Sequence, residues 1–268
     1  MKSLLSLDAR LRTSGGARKA RTLLLAAALA ASGNAGAVTW IEQEIVDPVG
    51  GGQCQVLDLA SSGAYIYDWP EKYDQVFVPV TSAEGIWYCE ASGFASFIGD
   101  TKLEPAEKKR ISEFLGRQVR PAQSGMSIAG KLERAEAIYA LRDLTPERGI
   151  LIRRILAYDF ETIAEDPARA RRHRQAALKT MLDRLADESL PQATRMEYLF
   201  VSANYLRESG DAVRADRLLA QLATLIASVG DAGNQGYPAY LESMLPSART
   251  IAPGGRLAPE KAQPPAAD

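Results

Sequence analysis

The sequence lacks the ligands and motifs that most zinc sites and many enzyme active sites require. Its 268 residues include two cysteines, Cys54 and Cys89, and one histidine, His173, whereas a structural zinc ion takes four thiolate or imidazole ligands. A G-x-S-x-G turn, a glycine-rich phosphate loop, an H-E-x-x-H run and a C-x-x-C redox pair are all missing. We therefore expect a protein without a cofactor or a catalytic site, with an enzyme as a rival interpretation.

Long apolar runs are scarce as well, and the one that occurs is too short to cross a bilayer. Residues 1–37 contain a basic segment, then an apolar run at residues 23–31, then small residues that end at Ala37. This order is typical of a secretory signal peptide. We expect cleavage after Ala37 and a periplasmic or secreted protein with no transmembrane span in the mature chain. An uncleaved amphipathic N-terminus is the alternative.

An excess of positive charge is also absent. The whole chain has a net charge of −1, and residues 1–37 hold six basic residues and one acidic residue, so residues 38–268 carry −6. Proteins that bind nucleic acid neutralise phosphates with surplus lysine and arginine. The charge balance therefore argues against a nucleic-acid partner.

The two cysteines have a second use if the protein is exported. Oxidising compartments favour disulfides over thiolate metal sites, and Cys54 and Cys89 are the only pair that the chain offers. We expect these two residues to be bonded to each other and no metal to be held.

Residues 38–100 are predicted to form a small β-domain that is rich in aromatic side chains. Alternating polar and apolar residues predict a strand at residues 53–59, and residues 77–80 and 86–89 have the pattern of two further strands around a turn. One aromatic segment fits two roles, a packed core or a platform for a small ligand. Its residues are Tyr65, Tyr67, Trp69 and Tyr73.

After residue 100 the pattern becomes helical and stays so to residue 245. Apolar residues three or four positions apart predict about six antiparallel helices in residues 101–245. Residues 246–268 are rich in proline and alanine and are predicted to be a disordered tail. Prolines at or near the first helical position mark the helix starts: Pro105, Pro146, Pro167 and Pro191.

One predicted helical pair, residues 196–225, has the spacing of a tetratricopeptide repeat. The small residues Ala203 and Ala215 would let the two helices approach, and Gly210 would turn the chain between them. The two preceding helices are consistent with a divergent repeat of the same kind. Such repeats stack on each other rather than form separate globules.

Two segments of the β-domain have the outline of zinc-ribbon hairpins whose ligands have mostly been replaced. Cys89, Ser92 and Gly93 keep the frame of a C-x-x-C-G turn with one sulfur. Upstream, Asp47 and Gly50 occupy the places of two further cysteines. One thiolate cannot hold a structural zinc ion.

These hairpins, the run at residues 93–100, the helix of residues 104–115 and the repeat-like helices resemble the bacterial family called domain of unknown function 2225. The resemblance spans about residues 44–225. It implies a two-hairpin, zinc-ribbon-like segment followed by tetratricopeptide-like helices. Only Cys89 carries over as a zinc ligand, and the family name implies no activity.

A cluster of arginines surrounds the only histidine, His173. No carboxylate that would orient His173 as a general base is evident in the sequence, so a solvated helix face is favoured over catalysis. Positive charge in the first turns of a helix opposes the helix dipole, which suggests an acidic protein partner. The arginines expected to contact that partner are Arg169, Arg171, Arg172 and Arg174.

The combined prediction is an α+β protein in which a small aromatic β-domain, a degenerate zinc ribbon, precedes antiparallel tetratricopeptide-like helical hairpins. We expect an exported, non-enzymatic protein that binds an unidentified protein partner through its helices. A small-ligand or metal-binding module in the N-terminal domain, built on its aromatic and acidic residues, is the alternative.

Overall fold

The computed structural model describes residues 38–61, 73–117, 125–229 and 236–257. The described part is α+β, as expected: a small N-terminal antiparallel β region comes first, and seven helices packed as antiparallel pairs follow it. The predicted signal peptide, residues 1–37, lies outside the described residues.

The β region consists of two hairpins. β1 (Thr39–Val46) pairs with β2 (Gln53–Ser61), and β3 (Ile86–Cys89) pairs with β4 (Phe94–Phe97). Glycines with positive φ, which other residues rarely adopt, lie in the two connecting turns. The strands predicted at residues 53–59 and 86–89 are therefore confirmed.

The strand predicted at residues 77–80 is wrong. Residues 78–80 form a turn in which the Val80 N–H donates to the carbonyl of Phe77 at 3.2 Å. Pro79 has no N–H to donate to a neighbouring strand. The apolar pattern of this segment reflects a half-buried turn rather than a sheet.

A disulfide joins Cys54 of β2 to Cys89 of β3, with their Cα atoms 5.2 Å apart. The bond links the two hairpins, and both cysteines are buried. The predicted pairing is confirmed.

The helix starts agree closely with the sequence prediction. Pro146 and Pro167 each follow a capping residue: the Thr145 hydroxyl accepts from the Arg148 N–H, and the Asp166 carboxylate accepts from the Arg169 N–H. The seven helices of the described residues are α1 (Pro105–Arg117), α2 (Ile128–Tyr139), α3 (Pro146–Thr162), α4 (Pro167–Leu185), α5 (Gln192–Glu208), α6 (Ala212–Val229) and α7 (Tyr237–Ala248).

Two groups of buried apolar residues form the core. One group joins the β region to α1, α2 and α3, and the other lies among α4, α5, α6 and α7. At the first of these contacts the Phe97 N–H donates to the Tyr139 hydroxyl at 3.0 Å, and the two rings stack with centroids 5.4 Å apart. Strand β4 is thereby fixed to the end of α2.

The disordered tail predicted at residues 246–268 is wrong for residues 246–257. Helix α7 continues to Ala248, and Leu257 is fully buried in the core. The Gly254 N–H also donates to the carbonyl of Glu208 at 2.7 Å. The apolar residues of this segment anchor it despite its composition. Residues 258–268 lie outside the described part.

None of the helices in the described residues combines the length and the apolarity needed to cross a bilayer.

Candidate functional site

An open groove of about 620 Å³ runs along α2, α3 and α4. The buried side chains of Ile152 and Leu156 contribute to its lining. Two small residues, Gly149 and Ala176, also line it, and a Cβ atom at Gly149 would meet no other atom within 4 Å. Because Gly149 has no side chain, this part of the groove is left open.

Two exposed arginines of the groove have no acidic partner. Arg153 of α3 donates only to the carbonyl of Ala176, at 3.4 Å, and Arg172 of α4 makes no hydrogen bond within the described ranges. Neither guanidinium lies within 4.0 Å of a carboxylate there. By contrast, Arg142 of the same groove pairs with Asp100 at 2.8 Å. Arg153 and Arg172 are thus available to a ligand.

His173 lies in the groove and contacts a carboxylate that the sequence pattern did not reveal. Its Nε2 is 2.8 Å from the Glu136 carboxylate of α2, and its ring stacks on Phe160. Burial lowers the pKa of His173, and Arg153 and Arg172 lower it further, while Glu136 raises it. The net direction is downward, so the imidazole is neutral at neutral pH.

The four arginines predicted to bind a partner do not form one surface. Arg171 and Arg172 are exposed but line two different cavities, and Arg169 pairs with Glu133 at 2.8 Å. Arg174 is only 1% exposed. Its expected place on a partner-binding surface is therefore a mistake, since residues on one helix point in different directions.

Arg174 instead belongs to a buried polar network. Its Nη1 donates to Glu161 at 3.0 Å, and its Nε donates to Asp74 at 3.3 Å. The Tyr205 hydroxyl donates to Asp74 at 2.6 Å, and the Leu257 N–H donates to Glu161 at 3.1 Å. Burial lowers the pKa of Arg174, but the two carboxylates outweigh burial and raise it above its ordinary value. This network joins α3, α4 and α5 to two chain segments outside them.

The network holds residues 73–75, which we call the strap, against the helices. Arg154 of α3 donates to the backbone carbonyls of Asp74 and Gln75 at 2.7 and 2.6 Å. Asn204 of α5 donates to the carbonyl of Tyr73 at 3.1 Å. Backbone carbonyls that would otherwise be buried without partners are satisfied in this way, which is a structural role.

Tyr73, predicted as one wall of an aromatic platform, is 8% exposed and packs in the helical core. A buried ring offers no surface to a ligand. The other three predicted platform residues, Tyr65, Tyr67 and Trp69, lie outside the described residues.

The turn of the first hairpin is built around Asp47. One oxygen of its buried carboxylate accepts from the N–H groups of Val49 and Gly50, and the other has no hydrogen-bond partner among the residues that the structure describes. A Cβ atom at Gly50 would lie 3.5 Å from Cβ of Ser92, so the two hairpin turns face each other. No cluster of three or more metal-donor residues is present in the part of the chain that the structure describes.

A second cavity, of about 320 Å³, carries charges of both signs. Glu165, Glu208, Arg171 and Arg256 are among its lining residues. Burial raises the pKa of Glu208, while Arg174 and Arg171 act in the opposite direction. The positive and negative charges of this cavity compensate each other, so they favour neither an anionic nor a cationic ligand. The arginines of the groove indicate the charge of a ligand more clearly.

Asp159 of α3 is fully buried, and neither of its carboxylate oxygens has a hydrogen-bond partner among the described residues. Burial raises the pKa of this carboxyl well above its ordinary range. Asp159 lines neither the groove nor the second cavity. Its burial without a partner among the described residues destabilises the fold.

Sequence reasoning identified Arg172 and His173 but missed Glu136, Arg153 and Gly149. Comparison with protein-family models, with curated proteins and with solved structures finds no match.

Proposed function

We propose that this chain is an exported, non-enzymatic protein that binds another protein through its antiparallel helices. The observation that carries the proposal is the groove along α2, α3 and α4, which is open and about 620 Å³ in volume. It is lined by Arg153 and Arg172, which have no acidic partner within the described segments. Concave sites with a largely apolar lining and a few polar groups are where proteins bind ligands.

The paired helices support the tetratricopeptide-like part of the proposal. Ala203 of α5 and Ala215 of α6 are both buried, as expected for small residues at a close helix contact. Gly210, with φ of +95°, turns the chain between these helices. Helical pairs of this kind present surfaces suited to peptides or partner helices.

The buried charges support a non-enzymatic role. Arg174 pairs with both Asp74 and Glu161, and all three side chains are buried. In the groove, His173 and Glu136 are in contact, but the described lining adds no serine, cysteine or second carboxylate to them. A general base without a reacting group beside it lacks the set that catalysis needs.

The Cys54–Cys89 bond supports export, because disulfides persist in oxidising compartments. The facing turns of the two hairpins support the proposed derivation from a zinc ribbon, and therefore the resemblance to domain of unknown function 2225. In that derivation the disulfide has taken over the link that a metal ion would supply.

A small-ligand or cation site in the β region is the second candidate. The unpaired, buried oxygen of Asp47 favours it. Titration of the purified protein with Ca²⁺, Mg²⁺ and Zn²⁺ tests it, and stoichiometric uptake that Asp47→Asn removes would support this alternative over the interaction proposal.

Capture of partners from the periplasmic and secreted fractions of the source cell tests the main proposal. The purified protein should retain a partner that Gly149→Trp loses, since the indole would fill open space in the groove. Arg171→Glu, which reverses an exposed charge outside the groove, is the matched control. A partner set that is the same for all three proteins would contradict the use of this groove.

A further inference from the structure

We infer that the groove along α2, α3 and α4 binds a short segment of the partner in which an acidic side chain stands next to an apolar one. This inference rests on the proposed interaction function and names the chemistry of the partner. The carboxylate would contact the guanidinium groups of Arg153 and Arg172. The apolar side chain would lie against Ile152 and Leu156.

The charges of the groove select a carboxylate. Arg142, which also lines the groove, is neutralised by Asp100 at 2.8 Å. Arg153 and Arg172 have no such partners in the described ranges. Guanidinium groups bind carboxylates with strong, charge-assisted hydrogen bonds. The groove is therefore locally positive, although residues 38–268 carry a net charge of −6.

Arg153 and Arg172 belong to different helices but line the same groove. His173 lines the groove as well, and the positive charges of both arginines lower the pKa of its imidazole. The other groups that face this ring are Glu136 from α2 and the Phe160 ring from α3. An anion that binds between the arginines would therefore be felt by the histidine.

The size and lining of the groove favour a peptide over a small anion. Apolar residues from three helices share the lining with the cations, and a volume of about 620 Å³ exceeds what one carboxylate or phosphate fills. Cavities of this size hold drug-sized ligands, and a short peptide segment falls in that class. An acidic partner would be repelled by the rest of the surface and directed to this groove.

The single histidine supplies the readout. The ring-proton NMR signals of His173 would be followed while the purified protein is titrated with the acetylated, amidated peptide Leu-Asp-Glu-Leu. We expect a saturable shift and a higher pKa of His173 in the complex, because a nearby negative charge favours the imidazolium form. Leu-Asn-Gln-Leu, which has the same shape without the charge, should bind at least about tenfold more weakly.

Two variants of the groove and one control locate the peptide. Arg153→Ala should weaken binding about tenfold, and Gly149→Trp should abolish the shift. Arg171→Ala, which removes an exposed arginine of α4 that lines the other cavity, should bind as the unchanged protein does. Circular dichroism of each variant checks that the helices are retained, and Arg153→Ala keeps the test valid if the tryptophan disturbs the fold.

Three results would overturn the inference: no saturable shift, equal binding of the uncharged peptide, or an equal response to inorganic phosphate or acetate. The last result would show a simple anion site. The same variants distinguish failure of the proposed function from failure of this inference. Partner capture that survives Gly149→Trp contradicts the function, whereas capture lost in that variant without any response to the peptide contradicts only the chemistry assigned to the partner.

Discussion

Helix α4 places two arginines, only two positions apart, in opposite environments. Arg174 is 1% exposed and is held by Asp74 and Glu161, whereas Arg172 is exposed in the groove and has no acidic partner in the described part of the chain. Residues two apart on a helix do not share a face. A run of like charges in a sequence can therefore serve two regions, one that fixes the fold and one that is free to bind.

Replacing Arg174 by methionine should give the largest loss of stability. Without its guanidinium, the carboxylates of Asp74 and Glu161 would be buried without their cation, and breaking such pairs costs about 3–5 kcal/mol. Arg172→Met is the matched control and should change the free energy of unfolding by no more than about 0.5 kcal/mol. Urea unfolding of both variants measures the difference. Equal losses would remove the distinction between the two faces.

Asp159 extends the comparison of the two arginines. Like Arg174 it is buried, and like Arg172 it has no partner of opposite charge among the described residues. Its carboxyl has a raised pKa in the folded state, so the folded protein binds a proton that the unfolded chain releases above about pH 4. Stability should therefore fall as the pH rises from about 4 towards neutrality, by up to about 1.4 kcal/mol per pH unit.

Asp159→Asn should remove this dependence and stabilise the protein at neutral pH. Urea unfolding of the two proteins over the same pH range gives the measurement. Two curves that run parallel would show that the carboxyl is not kept protonated by burial.

Tyr205→Phe should weaken the buried network without removing a charge. It deletes the hydroxyl that donates to Asp74 at 2.6 Å, and a hydrogen bond to a charged group contributes about 1.5–3 kcal/mol. Tyr198→Phe, on the same helix, is the control, since the described residues offer its hydroxyl no hydrogen bond. Thermal unfolding should separate the two variants by several degrees. A loss as large for Tyr198→Phe would point to packing rather than to the network.

Gly149→Ala, in the groove, should change the free energy of unfolding least. A helical glycine replaced by alanine gains about 0.5–1 kcal/mol where there is room for the methyl group, and the space at Gly149 is open. Gly130→Ala in α2 should gain less, because its Cβ atom would lie 2.9 Å from the Met126 side chain. A destabilised Gly149→Ala variant would show that the groove is closed in solution.

Local patterns in the sequence predicted most of the fold. Prolines and capping residues mark the starts of α3 and α4, and alternation marks β2. The disulfide was predictable because only two cysteines exist. Residues 77–80 and 246–257 were misassigned, since a turn with a proline has the apolar pattern of a strand, and a few buried anchors fix a segment whose composition resembles a disordered one.

The candidate site was only half predictable. Arg172 and His173 were visible as a charge cluster, but Glu136 lies 37 positions from His173, and nothing local marks that contact. The burial of Arg174, by contrast, could be predicted from the sequence. This arginine stands at helical spacing from Ala170, Ala177 and Met181, all fully buried, so it occupies the apolar face of α4. The contact with Asp74, 100 positions away, could not be predicted from the sequence.

The Cys54–Cys89 bond closes a covalent ring, and the strap at residues 73–75 lies inside it. Hydrolysis of any single peptide bond between these cysteines would yield two chains that remain joined by the disulfide. On a non-reducing gel such a nicked molecule would run as one species, and it would separate into two only after reduction. The ring thus keeps β1 covalently attached to the helices even if the backbone between the two cysteines is cut.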